Sequence, residues 1–283
     1  MKFQKIKEYV KNLIFRFQDD DVLAMSSQLA YSLLMAFFPF LIFLLTIVGF
    51  SPIKSEDVLL GLKSILPKEA YVLIRKTVVE VVDTKNGHLL SLSLIFTIWS
   101  AANGLGAVIK GLNKAYDEEE KRSFIKLQIV AVLSTIALVF MIMAAFIFLV
   151  FGNVLGRYIA SSLKQLDGFW SMWNALRYVG TILNMILIFS VIYHFTPSRR
   201  LKWKEVLPGS IFTTIGWIVV SIGFAFYIDN FGNYSLVYGS LGAVVTLMTW
   251  LFISSIIILL GGELNATLAF QREGKEKPKG KNY

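Results

Sequence analysis

The sequence predicts an all-α polytopic membrane protein with six transmembrane helices, an N-terminal amphipathic interfacial helix and a helical outer loop. Three observations carry this. First, Ala24–Phe50 runs 27 residues without Asp, Glu, Lys or Arg, and comparable runs follow at Leu89–Ile109, Leu127–Gly156, Tyr178–Thr196, Val206–Ile228 and Asn230–Gly262. A helix needs about 20 apolar residues to cross the hydrocarbon core, and helices satisfy their own backbone there. Second, the longest connecting segment, Ser51–His88, has 38 residues, too few for a separate domain. Third, the basic residues are lopsided. Nineteen of the 28 Lys and Arg lie in the N-terminal segment, the second and fourth loops and the tail. By the positive-inside rule both termini face the cytoplasm.

Phe3, Ile6, Val10, Leu13, Ile14 and Phe17 recur at helical spacing between lysines, so residues 1–23 read as a cytoplasmic interfacial helix. Asp19, Asp20 and Asp21 fall where the first span starts and read as caps at its positive dipole end. The membrane domain takes residues 24–268, with spans at about 24–50, 89–110, 127–152, 178–197, 206–228 and 240–262. Pro39 interrupts the first span and frees a backbone carbonyl, either as a packing kink or as a hinge. The outer loop holds one or two amphipathic helices split by Pro67, and Asp117–Arg122 forms a solvated turn. Asn230–Gly239, rich in Gly, Asn and Tyr, reads as an external loop, so the sixth span starts near Ser240. Residues 269–283 form a basic tail expected to be disordered.

The chain contains no cysteine and two histidines, His88 and His194, on different segments, so no metal or cofactor is expected. The net charge of +9 is accounted for by the membrane topology, and nucleic acid is not an expected partner. Gly209, Gly216 and Gly223 recur every seven residues in the fifth span. Such a stripe either lets helices approach closely or lines a pathway. Along the second span Asn103, Gly106, Lys110, Asn113 and Asp117 form a polar ridge. Gln28 and Tyr31 in span one, His194 closing span four, and Glu263 and Asn265 closing span six fall in the same cytoplasmic half. Polar groups at this depth face a bundle interior or water. The ridge therefore lines a cytoplasm-facing cavity or hydrogen-bonds helices together. For Glu263 the expected partner is Lys110 or a base in the fourth loop, and its role is either a structural bridge or gating and coupling.

These interruptions carry a further pattern. Ala30-Tyr31-Ser32-Leu33-Leu34 through Phe38-Pro39, Trp99-Ser100, Gly111-Leu112-Asn113, Tyr116 and Arg122-Ser123-Phe124 resemble the YihY/BrkB family of bacterial inner-membrane proteins. So do Pro197, Trp203, Pro208-Gly209, Trp217, Tyr227, Tyr234, Tyr238–Gly242, Trp250 and Gly262-Glu263-Leu264-Asn265-Ala266. The resemblance implies a six-helix, multi-pass inner-membrane protein linked to serum resistance and envelope functions. It also implies that the family's former ribonuclease BN-like label is mistaken. The short basic loops agree, since RNA hydrolysis needs an acid/base pair or a carboxylate metal cluster. The functional expectation is a transporter, exporter or lipid-handling protein acting on a small molecule, ion or lipid, without enzymatic activity. The alternative is a non-transporting envelope scaffold. The expected surroundings are the lipid bilayer, with homo-oligomerisation compatible with the sequence.

Overall fold

A computed structural model describes residues 15–50, 55–56, 58–59, 68–84, 86–162, 169–231 and 241–274. Among these the secondary structure is helical, with six helices long and apolar enough to cross a membrane. The helices are α1 (Val22–Gly49), α2 (Lys68–Thr84), α3 (Gly87–Ala115), α4 (Phe124–Ser162), α5 (Phe169–Phe195), α6 (Trp203–Phe231) and α7 (Gly242–Arg272). A short helical stretch at 15–19 precedes α1. The expected external loop at 230–239 lies mostly outside the described residues, as do the apolar stripe before Phe15 and the tail beyond Gly274.

Local chemistry sets the helix ends. Asn86 caps α3, its Oδ1 accepting the His88 and Leu89 amides at 3.0 and 3.2 Å. At the other end Asp117 adopts φ 55°, while the Glu118 amide donates to Asn113 O and the Asp117 amide to Lys114 O. This is a Schellman cap with aspartate where glycine is usual. Glu205 reaches back to the Lys202 amide at 2.7 Å and opens α6 as a capping box does. α2 covers Lys68–Thr84 of the expected helical outer loop, and the expected split at Pro67 lies outside the described residues. α1 continues through Pro39, which offers no N–H to the Met35 carbonyl. The aspartates at the start of α1 differ from one another. Asp20 is buried, and Asp21 takes φ 49° with its carboxylate on Lys114 at 2.7 Å, because residues 15–19 form their own helical turn ending there.

The chain divides into two compact units. One contains residues 24–107 and 219–256. Its core joins Leu45 of α1 to Val78, Val81 and Val82 of α2, with Leu41, Val48 and Leu89 packed around them. A methyl added to Gly49 would lie 2.5 Å from the Val82 carbonyl oxygen, so only glycine permits that approach. A second core joins Ala30 and Leu34 of α1 to Leu251 of α7. The other unit contains residues 1–23, 108–218 and 257–283. There α4 packs beside α5, and the Asn184 amide donates to Met141 O at 3.3 Å.

Candidate functional site

In the second unit, the one holding residues 108–218, α6 crosses α7 at glycines. A methyl on Gly209 would overlap the Gly261 carbonyl and the Asn265 amide, and one on Gly262 would overlap Leu112. Gly216 allows a closer fit to Ile257, whose Cγ2 would lie 3.1 Å from an added methyl. Gly223 meets nothing within 4 Å, so the seven-residue stripe packs at two of its three positions. The close crossing encloses polar groups that must be satisfied internally. Asn265 Oδ1 accepts the Gly209 amide at 2.7 Å, and its Nδ2 donates to Val206 O at 3.1 Å. Tyr193 OH donates to Ile258 O at 2.6 Å and shares a 2.6 Å hydrogen bond with Thr213 Oγ1. Ser190 adds a 3.0 Å bond to Ser210.

Asn113, also buried, ties two loops together. Its Nδ2 donates to Glu120 at 2.8 Å, and its Oδ1 accepts the Ser198 amide at 2.7 Å. Arg122 grips the same Glu120 through two nitrogens, at 2.8 and 2.7 Å, and donates to Thr196 O at 2.8 Å. Those Arg122 bonds, helped by the Asn113 amide, hold the Glu120 carboxyl down at about 2.

Glu263 pairs with Arg16, a residue of the N-terminal segment. Arg16 Nη1 lies 3.8 Å from Glu263 Oε2 and donates to Ala115 O at 3.2 Å, and its guanidinium sits 4.8 Å above the Phe270 ring. Lys110 is exposed instead. Burial lowers the Arg16 pKa, against the opposing pull of Glu263, Asp20, Asp117 and Asp19. Arg199 stands over Tyr116 and Phe270 and pairs with Glu273. Burial pushes the Tyr116 phenol above its ordinary range. His194 is half-buried and stacked on Trp203 at 4.6 Å. Arg16 and Asp20 were not legible as site residues. The signal that could have found them is their four-residue spacing beside the apolar stripe, which puts both on one helical face.

Gln28, Tyr31 and Asn103 are placed differently: all three are exposed, in the unit holding residues 24–107. There α1 and α3 run antiparallel. Leu29 and Ser32 meet Gly104, while Leu45 and Leu89 share a core at the opposite ends. Gln28 and Asn103 each precede a contact residue by one position, about 100° round the helix. Because the helices are antiparallel, that step carries both amides to the same side of the pair. Tyr31, 57% exposed, and Trp99, 64% exposed, extend this strip by one turn each. The sequence-level group therefore separates into a buried set, Asn113, Glu263 and Asn265, and an exposed set, Gln28, Tyr31, Asn103 and Lys110.

Six helices long and apolar enough to cross a membrane define a polytopic helical membrane protein. Comparison with known proteins narrows this further. The chain matches the family described as Virulence factor BrkB over residues 13–283 and belongs to it. It is 40% identical over 260 residues to a Bacillus subtilis protein named putative ribonuclease-like protein YfkH, covering 92% of this chain and 94% of that one. It is 24% identical over 298 residues to a UPF0761 membrane protein of Alteromonas mediterranea, covering 98% and 96%. A UPF0761 membrane protein of Pseudoalteromonas atlantica is 23% identical over 282 residues, covering 96% and 90%. No solved structure matches the chain.

Proposed function

We propose that this integral membrane protein is a transporter, exporter or lipid-handling protein of a bacterial inner membrane, with both termini in the cytoplasm. The observation that carries this reading is the strip of Gln28, Tyr31, Asn103 and Trp99 exposed on helices of membrane-spanning length. An amide facing hydrocarbon without a partner costs about 4–8 kcal/mol. Water in a polar groove, or a polar cargo group moving along it, removes that cost. The aromatic rings beside the amides give the strip an apolar flank, which suits amphiphilic cargo. The orientation rests on the basic bias of the N-terminal segment, the second and fourth loops and the tail.

In the rival reading, a non-transporting scaffold, a partner's polar side chains satisfy the same amides. The specific observation in its favour is the locked layer around Asn265 and Tyr193, which has the character of a rigid anchor. No nuclease activity is proposed for this chain, although its Bacillus subtilis relative is named ribonuclease-like. The His194 ring is stacked on Trp203 and edge-on to Phe195, a poor setting for a proton shuttle to RNA.

The test is reconstitution into liposomes of phosphatidylethanolamine and phosphatidylglycerol. Transbilayer movement of a fluorescent phospholipid and efflux of an entrapped anionic dye are both followed. Either flux above protein-free vesicles, reduced at least tenfold by Gln28→Leu with Asn103→Leu, supports the proposal. Folded wild-type protein moving neither probe, and binding a membrane partner instead, supports the scaffold.

A further inference from the structure

The turn from α5 to α6 gathers positive charge where two membrane-spanning helices end. Residues 199–205 hold four basic side chains, Arg199, Arg200, Lys202 and Lys204, against the single acid Glu205. Arg199 pairs with Glu273, and Glu205 turns its carboxylate back onto the Lys202 amide. Arg200, Lys202 and Lys204 are exposed.

The backbone that carries these cations is fixed at several points. The Ser198 amide donates to Asn113 Oδ1 at 2.7 Å, and Arg122 donates to Thr196 O at 2.8 Å. His194 at the end of α5 stacks on Trp203 at the start of α6, their ring planes 17° from parallel. Phe195 meets the same indole edge-on at 6.1 Å. A backbone already held in place has less freedom to lose when a ligand arrives.

An apolar track begins at the same point. Trp203 keeps 45% of its surface exposed despite the stack, and Leu207, Ile211 and Ile215 follow it on α6 in steps of four, all exposed. Residues four apart share a helical face, and twelve residues rise about 18 Å, a little more than half the hydrocarbon core. An indole at the end of a span sits at headgroup level. Lys202 and Lys204 flank it, and long basic side chains lay their stems on apolar surface while the charge reaches the headgroups. Cations beside a span attract anionic lipid. Charge, interfacial ring and aliphatic track thus follow one another in the order of the parts of a phospholipid.

We propose that the α5–α6 turn and the exposed face of α6 form a binding site for an anionic phospholipid. Arg200, Lys202 and Lys204 supply the charge for its phosphate, and an acyl chain lies along Trp203, Leu207 and Ile211. A soluble phosphate would use the cations alone, so the apolar track selects the lipid. The site uses none of the residues of the Gln28 and Asn103 strip, and it stands whether or not the chain transports anything.

The test is native mass spectrometry of the full chain, delipidated in an uncharged detergent. Phosphatidylglycerol and phosphatidylcholine with identical acyl chains are offered in equal amounts. The wild type should retain one phosphatidylglycerol at least tenfold in preference to phosphatidylcholine. Arg200→Gln with Lys202→Gln and Lys204→Gln should bring that ratio close to one, and each single substitution should lower it in part. Lys121→Gln with Lys126→Gln removes exposed charge near the start of α4 and should leave the ratio unchanged. A wild type without the preference overturns the proposal. So does a preference that survives the triple substitution, or one that falls equally in the Lys121 and Lys126 control. Displacement of the retained lipid by millimolar inorganic phosphate assigns the cations to a soluble anion and overturns it too.

Discussion

Asn265 clasps Gly209 and Val206 with the two ends of its amide: Oδ1 takes the glycine N–H at 2.7 Å and Nδ2 donates to the Val206 carbonyl at 3.1 Å. The amide thus bonds α6 one position after Pro208, where that residue has no N–H of its own to give. Asn265 is 1% exposed, so its loss leaves a buried donor and a buried acceptor without this partner. Asn265→Ala should cost about 2–3 kcal/mol. A melting curve in detergent checks this, and an unchanged midpoint would show that the clamp contributes little.

The glycines should separate sharply. Gly261→Ala drives a methyl into Thr213 and Tyr193, and Gly209→Ala drives one into Gly261 and Asn265, both against well-packed atoms. Each should lower stability by about 1–3 kcal/mol and reduce the yield of monodisperse protein. Gly223→Ala meets no neighbour and removes a helix-interior glycine, so it should be neutral or gain up to about 1 kcal/mol. Size-exclusion profiles and melting temperatures of the three variants, prepared in parallel, decide the matter.

Glu120 predicts a dependence on acid. Its carboxyl titrates at about 2 in the folded protein, below the ordinary 4.5, because Arg122 and Asn113 hold the charged form. A depressed carboxyl contributes stability that is complete above 4.5 and is lost as the pH falls toward 2. Solvent screening keeps the effect modest, since the pair is partly exposed. Glu120→Gln should flatten the melting temperature over that acid window and leave its slope above neutrality unchanged.

Much of this architecture could be read from the chain because a membrane span is a long, one-dimensional signal. The six uncharged runs return as six helices of membrane-spanning length, and the family match covers residues 13–283. What could not be read were pairings across the sequence. Glu263 needed a cation, but nothing local distinguishes Arg16, 247 positions away, from Lys110. Asp20 is buried where the turn at residues 15–19 ends, and a run of three aspartates does not reveal which one is covered. The ridge at Asn103, Lys110 and Asn113 shares a helical spacing, yet Asn113 is buried by the loops it ties together while Asn103 and Lys110 stay exposed. Periodicity gives a face, and only packing decides what covers it.

Central to the proposed function is that the Gln28 and Asn103 face meets water at membrane depth. The absence of native cysteine makes this directly measurable. Single cysteines at positions 28 and 103 are compared with cysteines at Leu183 and Val219, apolar exposed positions expected to face lipid. Each is treated in membranes with a water-soluble, charged maleimide. Rapid modification is expected at 28 and 103 and little at 183 and 219. Equal protection at all four positions would contradict a water-filled face.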